Sequence, residues 1–181
     1  MVALLLTLAA GALAASVSVP AAVTLAATEP AASPAQLPGL VLEDQYGGRD
    51  GPGLHRGRVI VLIYGRPSGL KRMQAWERSV SDQAGGDVSL LRAVDARARV
   101  RRRPDQLREK LKDKAPAGAS VLIDREGELA EAYFIPAGQV SLTVIDATGK
   151  GCGTLAGPPD PELLHRAIEL IVRVKYKGEC P

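Results

Sequence analysis

The segment that most constrains this chain is Val59-Ile60-Val61-Leu62-Ile63-Tyr64. It is an unbroken apolar run dominated by β-branched residues. A strand with no polar alternation has no wet face, so it must lie inside a sheet covered on both sides. Gly65-Arg66-Pro67-Ser68-Gly69 breaks the run. Leu70, Met73, Trp76 or Glu77, and Val80 then fall at helical spacing, with Ser68 expected as the N-cap. Strand, tight turn and amphipathic helix make the first half of an α/β unit. In open α/β sheets the functional crevice lies at the C-terminal ends of the strands. The turn, with Tyr64, Gly65, Arg66, Pro67, Ser68 and the nearby Arg72, is therefore the candidate binding site.

The rest of the chain alternates in the same way. Gly85-Gly86 closes the first helix, and Val88 to Asp95 reads as the next strand. Pro104 suits the first position of a helix reaching about Lys114, with Leu107 and Leu111 inward. Ser120 to Asp124 is a short strand, and Arg125 to Tyr133 turns into a short helix. Val140 to Ile145 and Gly151 to Ala156 are strands joined by a hairpin turn over Asp146 to Lys150. Asp160 caps a last helix that begins at Pro161, with Glu162 at the positive end of its dipole. Leu164, Ala167, Ile168, Ile171 and Val172 form its apolar stripe.

Several of these segments together resemble the thioredoxin superfamily, closest to its peroxiredoxin and TlpA-like branch. The likeness rests on Leu40 to Gly48, on the strand-turn-helix, on Leu122-Ile123-Asp124, on Gly127 to Tyr133 and on Val144 to Lys150, and covers about Leu40 to Val174. Gly65-Arg66-Pro67-Ser68 with Val144-Ile145-Asp146 also resembles the small periplasmic YtfJ-type proteins, which imply no established activity. The resemblance implies a thioredoxin-like three-layer α/β fold, a central mixed sheet flanked by helices. It also implies a catalytic cysteine in the turn, where the helix dipole favours a thiolate. Neither the Cys-x-x-Cys nor the single peroxidatic cysteine is present, and Val140 stands where the family has its cis-proline. Losing both parts together argues against thiol exchange more strongly than losing either.

Length and composition allow one core-forming domain: 181 residues, 46% hydrophobic and 24% charged, with few aromatics. A net charge of +3 is too small to point to nucleic acid. No charge precedes Glu29. Residues 1–27 read as a signal peptide cleaved near Ala26 or Ala27, or, since no Lys or Arg precedes the apolar run, as an uncleaved N-terminal anchor. Residues 28–39, with Pro30, Pro34 and Pro38, are a Pro/Ala-rich linker, and 40–181 form the domain. The protein is expected in the periplasm or secreted, with inner-membrane attachment through 1–27 as the alternative.

Other chemistry has little support. Ser68 would need an adjacent base to act as a nucleophile, and His55 and His165 lie in unrelated segments. No His/Cys cluster suggests a metal, no phosphate-binding motif occurs, and no catalytic residue or cofactor is expected. Arg66 and Arg72 flank the turn and suit a small anion. Arg97 to Lys114 holds nine basic and three acidic residues, a solvated face or a surface for anionic lipid. Cys152 and Cys180 are the only cysteines, and an even count in an exported chain points to a structural disulfide. The last helix returns antiparallel to the final strand, which carries Cys180 back beside Cys152, while Gly151 and Gly153 leave room for the sulfur and the crossing chain. The expected function is a redox-inactive thioredoxin-like protein binding a periplasmic partner or small anion at the turn. The alternative is a thiol-disulfide or peroxide oxidoreductase using Cys152 and Cys180 in a non-standard arrangement.

Overall fold

In a computed structural model the described residues are 39–85, 88–100 and 104–181. The signal, anchor and linker expectations for residues 1–38, and Arg101 to Arg103 of the basic stretch, lie outside them. A small antiparallel hairpin comes first, β1 (Leu42–Glu43) and β2 (Arg49–Asp50). The apolar run forms β3 (Ile60–Gly65), every residue of it buried. There follow α1 (Leu70–Ala84), β4 (Ser89–Asp95), a single turn α2 (Arg97–Val100), α3 (Pro104–Lys114) and β5 (Leu122–Asp124). The chain ends with α4 (Glu128–Ala132), β6 (Ser141–Ile145), β7 (Gly151–Ala156) and α5 (Pro161–Val172).

The remaining five strands form one mixed sheet in the order β5-β4-β3-β6-β7. β3 is central, parallel to β4 and antiparallel to β6, and this places it where an all-apolar run belongs. Its alternating side chains feed two cores. Val61 and Ile63 join Met73, Trp76 and Val80 of α1, Leu107 and Leu111 of α3, and Ala167 and Ile171 of α5. Ile60, Leu62 and Tyr64 join Leu129 and Ala130 of α4 on the other face. Trp76 is fully buried and its Nε1–H donates to the carbonyl of Gly157 at 2.8 Å, so the one polar atom of the indole is satisfied inside the core.

Local chemistry explains several element ends. Asp160 accepts the N–H of Leu163 at 2.8 Å, the cap expected for α5. Buried Asp124 accepts the N–H groups of Gly127 at 2.8 Å and Leu129 at 3.1 Å, which starts α4, and the hydroxyl of Tyr64 at 3.0 Å. His55 bridges Asp50, at 2.7 Å, and the hydroxyl oxygen of Ser89, at 3.0 Å. Ser89 is buried at the N-terminal end of β4, so this trio pins the hairpin to the sheet at the end opposite the turn.

Three local expectations are corrected. Ser68 does not cap α1: Pro67–Gly69 form one 3-10 turn, the cap is Gly69, and no side chain caps the helix. Val172 is exposed, because it lies one residue, about 100°, off the line of Ala167, Ile171 and Val174 that packs inward. Gly151 and Gly153 do not serve the crossing chain. A β-carbon on Gly153 would lie 2.9 Å from Leu170 Cδ2, and one on Gly151 would lie 3.1 Å from the Tyr133 ring.

Candidate functional site

Two places carry chemistry, and the turn is the first. β3 ends at Gly65, Arg66 is extended, and the N–H of Gly69 donates to the carbonyl of Arg66 at 2.7 Å. Val140 packs into the turn from the loop before β6. A β-carbon on Gly65 would approach its Cγ2 to 3.1 Å, and one on Gly69 to 2.9 Å. The carbonyl of Val140 accepts the N–H of Gly157 at 2.9 Å. The described residues contain no cis peptide bond. At this position, therefore, a buried side chain fills the turn and the carbonyl is already paired.

Beside the turn lies a cleft of about 500 Å³ lined by Arg66, Pro67, Ser68, Asp95, Arg97 and Ala137 among others. Arg97 grips Asp95 with two nitrogens, at 3.0 and 2.8 Å. Those hydrogen bonds hold the Asp95 carboxyl below its ordinary value, and the charge of Arg66 adds to the effect. The same pairing pushes the Arg97 guanidinium further up. Gly127, at φ +86°, makes room for the Arg97 chain, since a β-carbon there would lie 2.7 Å from Arg97 Cδ. The cleft holds two guanidinium groups and one carboxylate.

Of the expected binding residues, Arg66, Pro67 and Ser68 line this cleft. Gly65 is packed under Val140. Tyr64 points through the sheet to Asp124; burial, then the Asp124 charge, push its hydroxyl well up. Arg72 is exposed on α1 and is not among the lining residues. Asp95 and Arg97 were missed. Their signal was positional: Asp95 ends the strand parallel to β3, the end at which crevices form.

The second place is the edge of the sheet at β7. Cys152 and Cys180 are bonded, with Cα atoms 4.7 Å apart. After α5 the chain makes a wide turn over Arg173–Lys177, and Gly178 in the left-handed region (φ +65°) sends Cys180 back to β7. Cys152 is 4% exposed and Cys180 is half-buried. A groove of about 340 Å³ runs beside the bridge, lined by Tyr133, Phe134, Thr143, Cys152, Thr154 and Pro181 among others. Phe134 is 75% exposed and is the one described non-glycine residue with a positive φ, +51°. Such a conformation in a bulky residue is a cost retained in the fold.

Asp146 completes this corner. Its carboxylate oxygen and both sulfurs lie within 4.8 Å of one another. Partial burial works against its charge, but hydrogen bonds from the Thr148 hydroxyl and from the N–H groups of Lys150, Thr148 and Gly149 outweigh it and hold the carboxyl below its ordinary value. Burial, with the charge of Asp146, pushes the Tyr133 hydroxyl up to about 12. The expectation of no metal-ligand cluster did not foresee this grouping, because its three members come from a turn, a strand and the C-terminal tail.

No protein-family model and no curated protein matches the sequence. Solved structures do match in shape. The exposed lipoprotein thioredoxin Etrx1 of Streptococcus pneumoniae superposes with a TM-score of 0.59 at 18% identity, over 72% of this chain and 97% of that one. StoA of Bacillus subtilis gives 0.55 at 15% identity, over 75% and 98%. A thiol:disulfide interchange protein of the thioredoxin family from Chlorobium tepidum gives 0.53 at 14% identity, over 75% and 94%. With its β5-β4-β3-β6-β7 mixed sheet between helical layers, the chain has the thioredoxin-like fold.

Proposed function

We propose that this is an exported thiol–disulfide exchange protein whose reactive pair is Cys152–Cys180, with no redox role for the turn. The observation that carries the reading is the bonded pair at the sheet edge beside the groove rimmed by Phe134. The expected redox-inactive protein finds no support in the thioredoxin-like neighbours, and the bonded Cys152–Cys180 pair favours the exchange alternative instead. An incoming thiolate attacks Sγ of Cys180, the more exposed residue of the pair. The Cys152–Cys180 bond breaks and its electron pair stays on Cys152 as a thiolate, which is then protonated. A second thiol of the attacking dithiol resolves the mixed disulfide and leaves Cys180 as a thiol. The reverse sequence reduces a substrate disulfide.

The surroundings favour that reverse direction. Pairs become oxidising when the fold stabilises a thiolate in the reduced form. Here Cys152 is buried and the Asp146 carboxylate stands within 4.8 Å of both sulfurs, so a thiolate is opposed. The reduced protein is then a donor of electrons, recharged by an upstream dithiol. Export accords with a disulfide in a small domain and with the apolar residues 1–27. No described helix is long and apolar enough to cross a membrane.

The test is redox equilibration followed by insulin reduction. The pair should remain bonded in a glutathione buffer, open in dithiothreitol, and reduce insulin disulfides once the small thiol is removed. A reduced protein that leaves insulin untouched assigns the bridge to stability alone.

A second reading is supported by the cleft at the turn. Arg66 and Arg97 outnumber the single carboxylate Asp95 there, which suits a small anion or the carboxylate of a periplasmic partner.

A further inference from the structure

Asp146, Cys152 and Cys180 reach the same point from three separate elements. Their ligand atoms lie within 4.8 Å of one another while the sulfurs are bonded. In that state the two sulfurs carry no charge, and Asp146 is occupied with its own turn. The N–H groups of Thr148 (2.8 Å) and Lys150 (2.9 Å) and the Thr148 hydroxyl (2.6 Å) all donate to one oxygen, Oδ1. Opening the bridge changes the chemistry of the corner. Two thiols, each able to lose a proton, then share the space with the Asp146 carboxyl group.

We propose that the reduced form is a binding site for a thiophilic divalent cation such as zinc, ligated by Sγ of Cys152, Sγ of Cys180 and a carboxylate oxygen of Asp146. The inference rests on the pair being openable; it does not require turnover with a substrate disulfide. Two thiolates and a carboxylate place three formal negative charges in one small volume, and a dication removes the repulsion that otherwise keeps the thiols protonated. Thiolate ligands select zinc over magnesium or calcium. Tetrahedral zinc with sulfur at about 2.3 Å needs the two sulfurs roughly 3.8 Å apart. Cys152 is fixed on β7, while Cys180 is half-buried beyond the left-handed Gly178, so it is the Cys180 sulfur that must shift outward to reach that separation. Three protein ligands leave a fourth position, and the groove beside Cys152 gives water or a ligand access to it. The hydrogen bonds from Thr148 and Lys150 are the supporting shell that orients the carboxylate.

The redox step balances with a phosphine as reductant. The disulfide takes two electrons and two protons to give two thiols, while the phosphine and one water become the phosphine oxide. Metal binding then releases the two thiol protons.

The experiment uses the mature protein, reduced with a water-soluble phosphine, freed of it under nitrogen, and titrated with Co²⁺ in place of zinc. The reduced protein should develop thiolate-to-cobalt charge-transfer absorption and tetrahedral d–d bands at one equivalent, both abolished by one equivalent of Zn²⁺. The oxidised protein should show neither. Asp146→Asn keeps both thiols and the turn's acceptor, and should bind Co²⁺ at least about tenfold more weakly. Absence of the bands in the reduced protein overturns the proposal, as does an Asp146→Asn variant of unchanged affinity. If reduction alone unfolds the domain, failure of Zn²⁺ to restore the native circular dichroism also overturns it. Insulin reduction by the same metal-free sample tests the exchange reading separately, so the two can fail independently.

Discussion

Gly69 and Val140 occupy one space. A β-carbon on Gly69 would stand 2.9 Å from Cγ2 of Val140, a side chain that is 4% exposed. Gly69 has φ −90°, so the backbone there accepts any residue and the constraint is contact alone. Val140 is β-branched and enclosed, so it has little freedom to step aside. Gly69→Ala should therefore destabilise the domain by about 1–3 kcal/mol, the usual cost of overpacking. Val140→Ala should cost about 1–2 kcal/mol alone and relieve most of the Gly69→Ala penalty in the double mutant. Urea unfolding of the four proteins measures the coupling. Additive losses would show that the turn is not held by this contact.

The bridge between Cys152 and Cys180 spans 28 positions of sequence. A closed loop of that size restricts the unfolded chain by about 3–4 kcal/mol on the entropy model. The Cys152→Ser, Cys180→Ser double mutant should lose stability by that amount in urea, and the phosphine-reduced wild type should match it in the absence of metal. An unchanged midpoint would mean that the bridge does nothing for the fold.

The architecture was legible because each of its signals is local. The apolar run of β3, Pro104 ahead of α3, and Asp160-Pro161 ahead of α5 state their roles within a few residues. The pairing of the cysteines followed from the chain reversal before α5. What was not legible depends on contacts distant in sequence. Ser68 has the right chemistry for a cap, but the packing of Val140 against Gly69 accompanies a tight 3-10 turn that moves the helix start to Leu70. Tyr64 reads as the last residue before the turn, yet strand alternation directs it to Asp124 on the opposite face. Arg97 looked like one cation of a solvated run, and only the sheet order puts it beside Arg66. Asp146 looked like a hairpin residue and nothing more until the tail brought Cys180 to it.

Tyr64 and Tyr133 make stability depend on alkaline pH. Both hydroxyls are pushed above their ordinary value of 10.0 by burial first and a neighbouring carboxylate second. Below pH 10 both are neutral in the folded and unfolded chains, and their contribution is fully present. Above it the unfolded chain ionises while the folded one does not, so the unfolded state binds fewer protons and stability falls. For Tyr133 the fall runs from pH 10 to about 12. Tyr133→Phe should flatten this decline, as should Tyr64→Phe. At neutral pH Tyr64→Phe should also cost about 1–3 kcal/mol, because it removes a donor from a buried carboxylate. Stability curves at pH 7 to 11 test this. A slope identical in all three proteins would remove it.

Arg66 and Arg97 line the same cleft but should respond differently to removal. Arg66 is exposed on the turn, with no carboxylate partner within ion-pair distance among the described residues. Arg66→Ala should leave the folding midpoint unchanged and weaken binding of inorganic phosphate or a small carboxylate by about fivefold, the effect of losing about 1 kcal/mol at an exposed charge. Arg97→Ala also releases Asp95, whose carboxyl is now held below its ordinary value by that guanidinium. The freed carboxylate then repels an anion, so the binding loss should exceed that of Arg66→Ala. The acid side separates the two further. A carboxyl with a depressed value stabilises the fold above its ordinary 3.8 and loses that contribution as the pH falls below it. Arg97→Ala should abolish this part of the acid dependence, and Arg66→Ala should change it only slightly. Calorimetric titration with phosphate, run beside acid unfolding, provides both readouts. Equal effects of the two substitutions on binding would show that the Arg97–Asp95 pair is a fastening of α2 to the sheet and takes no part in recognising an anion.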